Sequence, residues 1–454
     1  MKMTTRTSAI MNNKQQMLLH LVLLGLITYG LWLFQFSFWI NVTIFAILMI
    51  LAILKGTFKQ QLLVLLFSIL VSSRTHDTTL LELTNNIIYT VDPHIVTVSI
   101  LSIVSIVKAV KNRKMHMGKL SLPILLISIY ALISIIWTPV FIDGLSGFFT
   151  ILEGYMMYFI ISEHKDEELS MKDISIVFTV FGFVLSAQML THYINYGFIE
   201  ALKTKHVFSD FWANPNVAFA LYGFIIPMSL YKYRHIKSKY KYLFIVLDLM
   251  IIGCMILSQS RGLYFGFIVG IIFALLIYFR SRSKTLLVIG GTIFVSFIAT
   301  MMILVFFKER FISSYEWMDE FSSGRLALYD IAIHRFTGSL RTFIFGDGIL
   351  SSRYYIELAG KSSMYYHSFF FYAFATLGII GIALYSFLFY RIYQVFKPRL
   401  RKYAYLSIAI LVFLAHQLVD VGFDNRFLGV IFYFIVGLVE YRQLNLEKQL
   451  QECK

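Results

Sequence analysis

Charge is scarce in this chain. Only 14% of its 454 residues are Asp, Glu, Lys or Arg, while 58% are hydrophobic and the mean hydropathy is +0.73. A soluble domain carries roughly 25% charged residues, so these values exclude a soluble globular protein and predict a polytopic membrane protein. Cysteine is nearly absent too. Cys254 lies in an apolar run and Cys453 at the tail, which leaves neither a disulfide framework nor a thiolate metal spacing. There are six prolines and no Pro/Gly/Ser-rich linker. The 26 glycines are scattered and nowhere form GxGxxG or a P-loop, so a nucleotide-binding loop is unsupported. The acidic residues Glu309, Glu316, Asp319, Glu320, Asp330, Asp347, Glu357, Asp420 and Asp424 show no DxD or other metal-ligand pattern, which disfavours a metal-dependent nucleotide-sugar transferase. Within the spans the acidic residues are few, Glu153, Asp248 and Asp420, whereas ion-coupled transporters usually carry carboxylates or broken helices at mid-membrane depth.

What the chain has in abundance is apolar runs. Those long enough to cross about 30 Å of hydrocarbon lie at 17–34, 37–54, 93–110, 120–140, 145–162, 174–193, 216–231, 242–258, 262–280, 285–307, 367–390, 403–419 and 427–441. A shorter run at 61–72 makes fourteen if it crosses, and is otherwise re-entrant. The expected fold is therefore an all-α polytopic membrane protein of about 14 transmembrane helices. Residues 1–454 form a single membrane domain with both termini cytoplasmic. The first run follows a polar, basic N-terminus with no small-residue cleavage site, and reads as a retained signal-anchor.

Positive charge tests this count, because Lys and Arg concentrate on the cytoplasmic side. The fourteen-span reading places 28 of the 40 Lys and Arg inside. Dropping one span would turn every later loop over and put the basic block at 231–242 outside. The net charge of +15 thus sits in short linkers, as orientation signals do, and argues against a nucleic-acid partner. The twelve outside residues include eight arginines, whereas 19 of the 28 inside are lysine. Lysine suffices near anionic headgroups, while arginine offers a planar fork suited to phosphate and carboxylate.

Those arginines gather in particular places. Ser258-Gln259-Ser260-Arg261-Gly262 lies at the seam between two spans. A guanidinium stays charged there and costs roughly 2.5–3.5 kcal/mol near a bilayer centre, so either lipid headgroups or an anionic ligand must account for it. Seven of the outside cations fall in 308–366, a long extracytoplasmic loop with short helices, and loops of that length within compact domains are usually functional. Residues 322–333 there read as a helix, with Ser322 or Ser323 as N-cap and Leu326, Tyr329 and Ile333 as its apolar stripe. Arg325 occupies its first turn, the end a cation does not favour, which points to a ligand. Gly346-Asp347-Gly348 makes a tight turn. Asn214-Pro215-Asn216 opens a span, as a capped helix start ordinarily does. His367 stands at the start of the span that contains Gly378 and Gly381. Gly262, Gly266 and Gly270 recur every fourth residue and mark a helix-packing face.

In this order, Asn214-Pro215-Asn216, Ser260-Arg261-Gly262, Ser323-Gly324-Arg325, Gly346-Asp347-Gly348 and His367-Ser368 with Gly378 and Gly381, the chain resembles the O-antigen ligase and O-antigen or capsule polymerase superfamily of bacterial envelope proteins. The resemblance covers roughly residues 208–390, and departs from it at Ser368, where Asn is usual. It implies a glycosyltransferase of the bacterial cytoplasmic membrane. The substrate it implies is an oligosaccharide on a polyprenyl pyrophosphate, with membrane lipids around it and flippase or chain-length-regulating proteins as partners. It implies further that Arg261 and Arg325 bind the departing pyrophosphate, with Arg341, Arg353 and Asn216 as further substrate contacts. His367 then either takes the acceptor proton or orients the hydroxyl. No metal and no soluble cofactor is required, because the donor is already activated. Arg261→Lys is expected to insert normally and lose most activity in a glycan-transfer assay, since lysine keeps the charge but not the fork; wild-type turnover would make Arg261 a lipid-facing cation.

Overall fold

A computed structural model describes residues 2–34, 36–72, 92–113, 115–165, 169–203, 215–234, 240–279, 319, 324–361, 365–400, 403–420, 422–423 and 425–452. The protein is all-helical, with no strand among these residues. The described helices are α1 (Lys2–Leu33), α2 (Phe38–Lys55), α3 (Phe58–Ser72), α4 (Pro93–Lys111), α5 (Ser121–Ser134), α6 (Phe141–Glu163), α7 (Met171–Tyr196), α8 (Phe198–Lys203), α9 (Pro215–Leu230), α10 (Lys241–Leu257), α11 (Arg261–Phe279), α12 (Arg325–Thr337), α13 (Leu340–Phe345), α14 (Ser352–Leu358), α15 (Phe369–Phe396), α16 (Ala404–His416) and α17 (Arg426–Glu452). Four of them, α4, α6, α7 and α15, are long and apolar enough to cross a membrane, and several shorter apolar helices accompany them. The run expected at 285–307, together with Asn214, Ser322 and Ser323, lies outside the described residues. Helix α3, on the run whose crossing was open, has fifteen residues and is buried at thirteen of them. At 1.5 Å per residue it is about 22 Å long.

The chain forms two compact units, one of Met1–Met115 with Glu163–Ser260, the other of His116–Ser162 with Arg261–Lys454. In the first, α7 packs against α1, α3, α9 and α10, and α4 against α2 and α3. Short polar side chains join these helices: Ser68 meets Thr97 at 3.0 Å, Tyr29 meets Thr191 at 2.6 Å, and Gln188 Nε2 donates to the Leu70 carbonyl at 3.1 Å. Small hydroxyls suit this role where lipid, rather than water, is the solvent. Asp248 is neutralised by buried Lys232 (Nζ–Oδ2 2.5 Å) and accepts from the Tyr233 hydroxyl at 2.7 Å.

In the second unit, α11 lies along α16. The Gly262, Gly266 and Gly270 face packs as its spacing predicts. A Cβ on Gly266 would fall 2.6 Å from the Val412 carbonyl oxygen, and one on Gly270 would fall 2.5 Å from the Val412 side chain. Helix α15 breaks at Gly378, where φ is 64° and ψ is −164°. The break leaves carbonyls without helical partners, and the Gly346-Asp347-Gly348 turn takes two of them. Asp347 N donates to Ala375 O and Gly348 N to Thr376 O, both at 2.9 Å. Tyr130 adds its hydroxyl to Phe345 O at 2.9 Å and Leu377 O at 3.0 Å. The approach is so close that a Cβ on Gly378 would lie 2.5 Å from Ile344 O. Arg335 then locks the turn from outside, with Nε to Asp347 Oδ2 at 2.7 Å, Nη2 to Oδ1 at 2.9 Å, and its guanidinium 3.7 Å over the Tyr355 ring.

Gly378→Ala is expected to destabilise the protein by about 2 kcal/mol or more, because it adds a left-handed penalty of roughly 1–2 kcal/mol to a backbone collision. A thermal melt in detergent would register it as a fall of several degrees, and an unchanged melting temperature would contradict the interlock.

Candidate functional site

Helix α12 is positioned by its N-terminus and its buried stripe. Its cap residue is Gly324, at φ 80°, rather than a serine with a side-chain cap. Asp319 supplies the bonds instead: its Oδ1 accepts from Ala327 N at 2.9 Å and its carbonyl from Gly324 N at 2.7 Å. A glycine fits because the chain must enter the helix through a left-handed residue. Leu326, Tyr329 and Ile333 are buried, as the period predicts, in a cluster with Tyr366, Phe371 and Tyr372 of the segment that becomes α15. Burying that stripe turns Arg325 toward the segment that follows α16. Its Nη1 donates to the Val419 carbonyl, and its Nη2 lies 3.9 Å from Asp420 Oδ2.

His367 precedes α15 at φ 47°, a conformation that costs a non-glycine residue on the order of 1–3 kcal/mol and persists only where the surroundings hold it. The Phe369 N–H donates to Gln417 O at 2.9 Å, and the Tyr329 hydroxyl donates to His367 O at 3.1 Å. The imidazole Nδ1 is 3.1 Å from Asp420 Oδ1. Beside an ionised carboxylate Nδ1 carries the proton, so proton exchange with a substrate falls to Nε2. The His367 side chain is 24% exposed while that of Asp420 is 6% exposed: the carboxylate is sheltered and the ring reaches the surface.

Burial alone would push the Asp420 carboxyl up. The His367 hydrogen bond, with the charges of His367, His416 and Arg325, outweighs it and holds the group at about 2. Asp420 is therefore an anion at neutral pH. His416, one helical turn earlier, is buried, and its Nε2 has no hydrogen-bond partner among the described residues. A Cβ on Gly262 would lie 3.1 Å from the His416 ring and 3.0 Å from Val419. The first turn of α11, which Arg261 opens, thus rests on the same 416–420 segment that binds Arg325 and His367. Arg261 itself is exposed.

Of the residues expected to act together, Arg325 and His367 converge on Asp420, and Arg261 begins the helix packed beside it. Arg353 bonds Glu357 within α14, Nε–Oε1 at 2.8 Å, and Arg341 is exposed on α13. Asn216 belongs to the other compact unit. Among the described residues no three of His, Cys, Asp and Glu group as a metal site requires. Sequence reasoning noted Asp420 without giving it a role, because it searched carboxylates for metal spacing. The usable signal was His416 and Asp420, four residues apart at the end of an apolar run.

This arrangement can take a proton at Nε2 and hold an anion on the Arg325 fork. It lies largely within residues 243–386, which match the family model described as O-antigen ligase. The match spans 144 of the 454 residues. That family acts on lipid-linked oligosaccharides in the membrane, and the domain supports glycan transfer of the ligase or polymerase type. The match takes in Arg261, Arg325 and His367 and ends before Asp420. No curated protein matches the chain.

Asp420→Asn is expected to slow glycan transfer on the order of 10²–10⁴-fold, the usual worth of a positioned acid–base group. A carboxyl held below its ordinary 3.8 stabilises the fold above that value and loses the contribution as pH falls toward 2. The stability gap between wild type and Asp420→Asn should therefore be full at neutral pH and close between about pH 4 and pH 2. A gap independent of pH in that window would count against the ionised dyad.

Proposed function

We propose that the protein is a polysaccharide polymerase of the capsule, exopolysaccharide or O-antigen type. It joins repeat units by moving glycan from one polyprenyl pyrophosphate to a lipid-linked unit at the outer face of the bacterial cytoplasmic membrane. The observation that carries this reading is the convergence of Arg325 and His367 on buried Asp420, from three separate segments of the chain. In the reaction the acceptor hydroxyl attacks the anomeric carbon and gives its proton to His367 Nε2. The bond from that carbon to the pyrophosphate oxygen breaks, and polyprenyl pyrophosphate leaves with the electron pair. Charge grows on the leaving group, where fixed donors lower the barrier. Arg325 and Arg261 fill that role, with Arg341 and Arg353 as outer contacts. Each charge-assisted hydrogen bond contributes roughly 1.5–3 kcal/mol, enough for two or three arginines to do without a metal ion. Fourteen crossings with both termini inside would put all four arginines outside, where the donor is presented.

The ligase reading, in which finished glycan moves to a different acceptor, shares the donor and leaving group, and the description of the matching family favours it. Reconstitution separates them. Liposomes holding the protein and outward-facing lipid-linked repeats should yield a ladder of glycans with no further acceptor. Transfer only after another acceptor is added would establish a ligase. No transfer in either case, with movement of donor between leaflets, would leave a transporter.

A further inference from the structure

His367 adopts a left-handed backbone, yet it is neither glycine nor asparagine. Three ties fix it: the Asp420 carboxylate on its ring, the Gln417 carbonyl on the N–H of Phe369, and the Tyr329 hydroxyl on its own carbonyl. The first orients the imidazole and the second fixes the start of α15. The third bonds the peptide of His367 itself. Tyr329 is well placed to hold its hydroxyl still. Its ring is 3% exposed and stacks on Phe371 at 4.2 Å with 15° between planes, so the phenol cannot swing without disturbing the core beneath. It also sits four residues after Arg325 on α12, the spacing that puts two side chains on one face. One helical turn therefore touches both halves of the site, Arg325 at Val419 and Asp420, Tyr329 at His367.

We propose that Tyr329 is a positioning residue for glycan transfer, holding the left-handed peptide of His367 so that Nε2 faces the acceptor hydroxyl while Arg325 faces the leaving group. The inference rests on His367 being the proton acceptor. Released from Tyr329, His367 relaxes toward an ordinary backbone conformation and its ring turns away from the line between acceptor and donor. Misplacement of this kind lowers the rate of the chemical step and leaves donor binding alone.

Tyr329→Phe removes one oxygen and keeps the stack on Phe371. In liposomes containing the full-length protein and lipid-linked repeats, it should lower kcat about tenfold while leaving KM for the donor and the unfolding temperature unchanged. Wild-type kcat overturns the proposal. So does a loss that appears in KM, or one accompanied by a lower unfolding temperature, since those mark a binding or purely structural role. His367→Asn measured alongside separates the two levels. If it is inactive while Tyr329→Phe is normal, only the positioning role fails; if it turns over normally, the assignment of His367 fails.

Discussion

A buried negative charge organises the site. Taking a carboxylate out of water costs several kcal/mol unless partners are fixed around it, and Asp420 obtains its partners from distant parts of the sequence: His367 before α15 and Arg325 at the start of α12. Each partner in turn depends on something else. Arg325 points toward Asp420 because the stripe beside it on α12 is buried. His367 is held by bonds to its own carbonyl and to the N–H of Phe369. An electrostatic requirement at one atom thus demands correct packing over much of the unit.

The same logic explains why the glycine turn matters although it carries no chemistry. A helix broken at Gly378 exposes carbonyls that have no water to meet them in an apolar setting. The Gly346-Asp347-Gly348 turn fills that gap with its N–H groups, and the charge it brings, Asp347, is neutralised bidentately by Arg335. Arg335 is therefore an architectural arginine. Arg325, which shares Asp420 with His367, is the one proposed to bind the leaving group. Both stand in one short helix, and nothing in their local sequence separates the two roles.

Two kinds of cation emerge from this contrast. One has its own private carboxylate, as Arg335 has Asp347 and Lys232 has Asp248. The other, Arg325, is held by a backbone carbonyl and stands farther from the carboxylate, 3.9 Å.

Much was legible in the sequence alone. Scarce charge and long unbroken apolar runs determined an all-helical membrane protein, since a helix satisfies its own backbone within each run without water. Period determined the buried stripe of α12 and the packing face of α11. Residue type determined that Arg325 and His367 were worth watching. What the sequence could not supply was their common partner: Asp420 lies 53 positions from His367 and 95 from Arg325, and no local pattern links residues across such a separation. Nor could it tell Arg335 from Arg325, or give the cap of α12 to Gly324 and Asp319. Those depend on which chain segments meet, and only tertiary packing decides that.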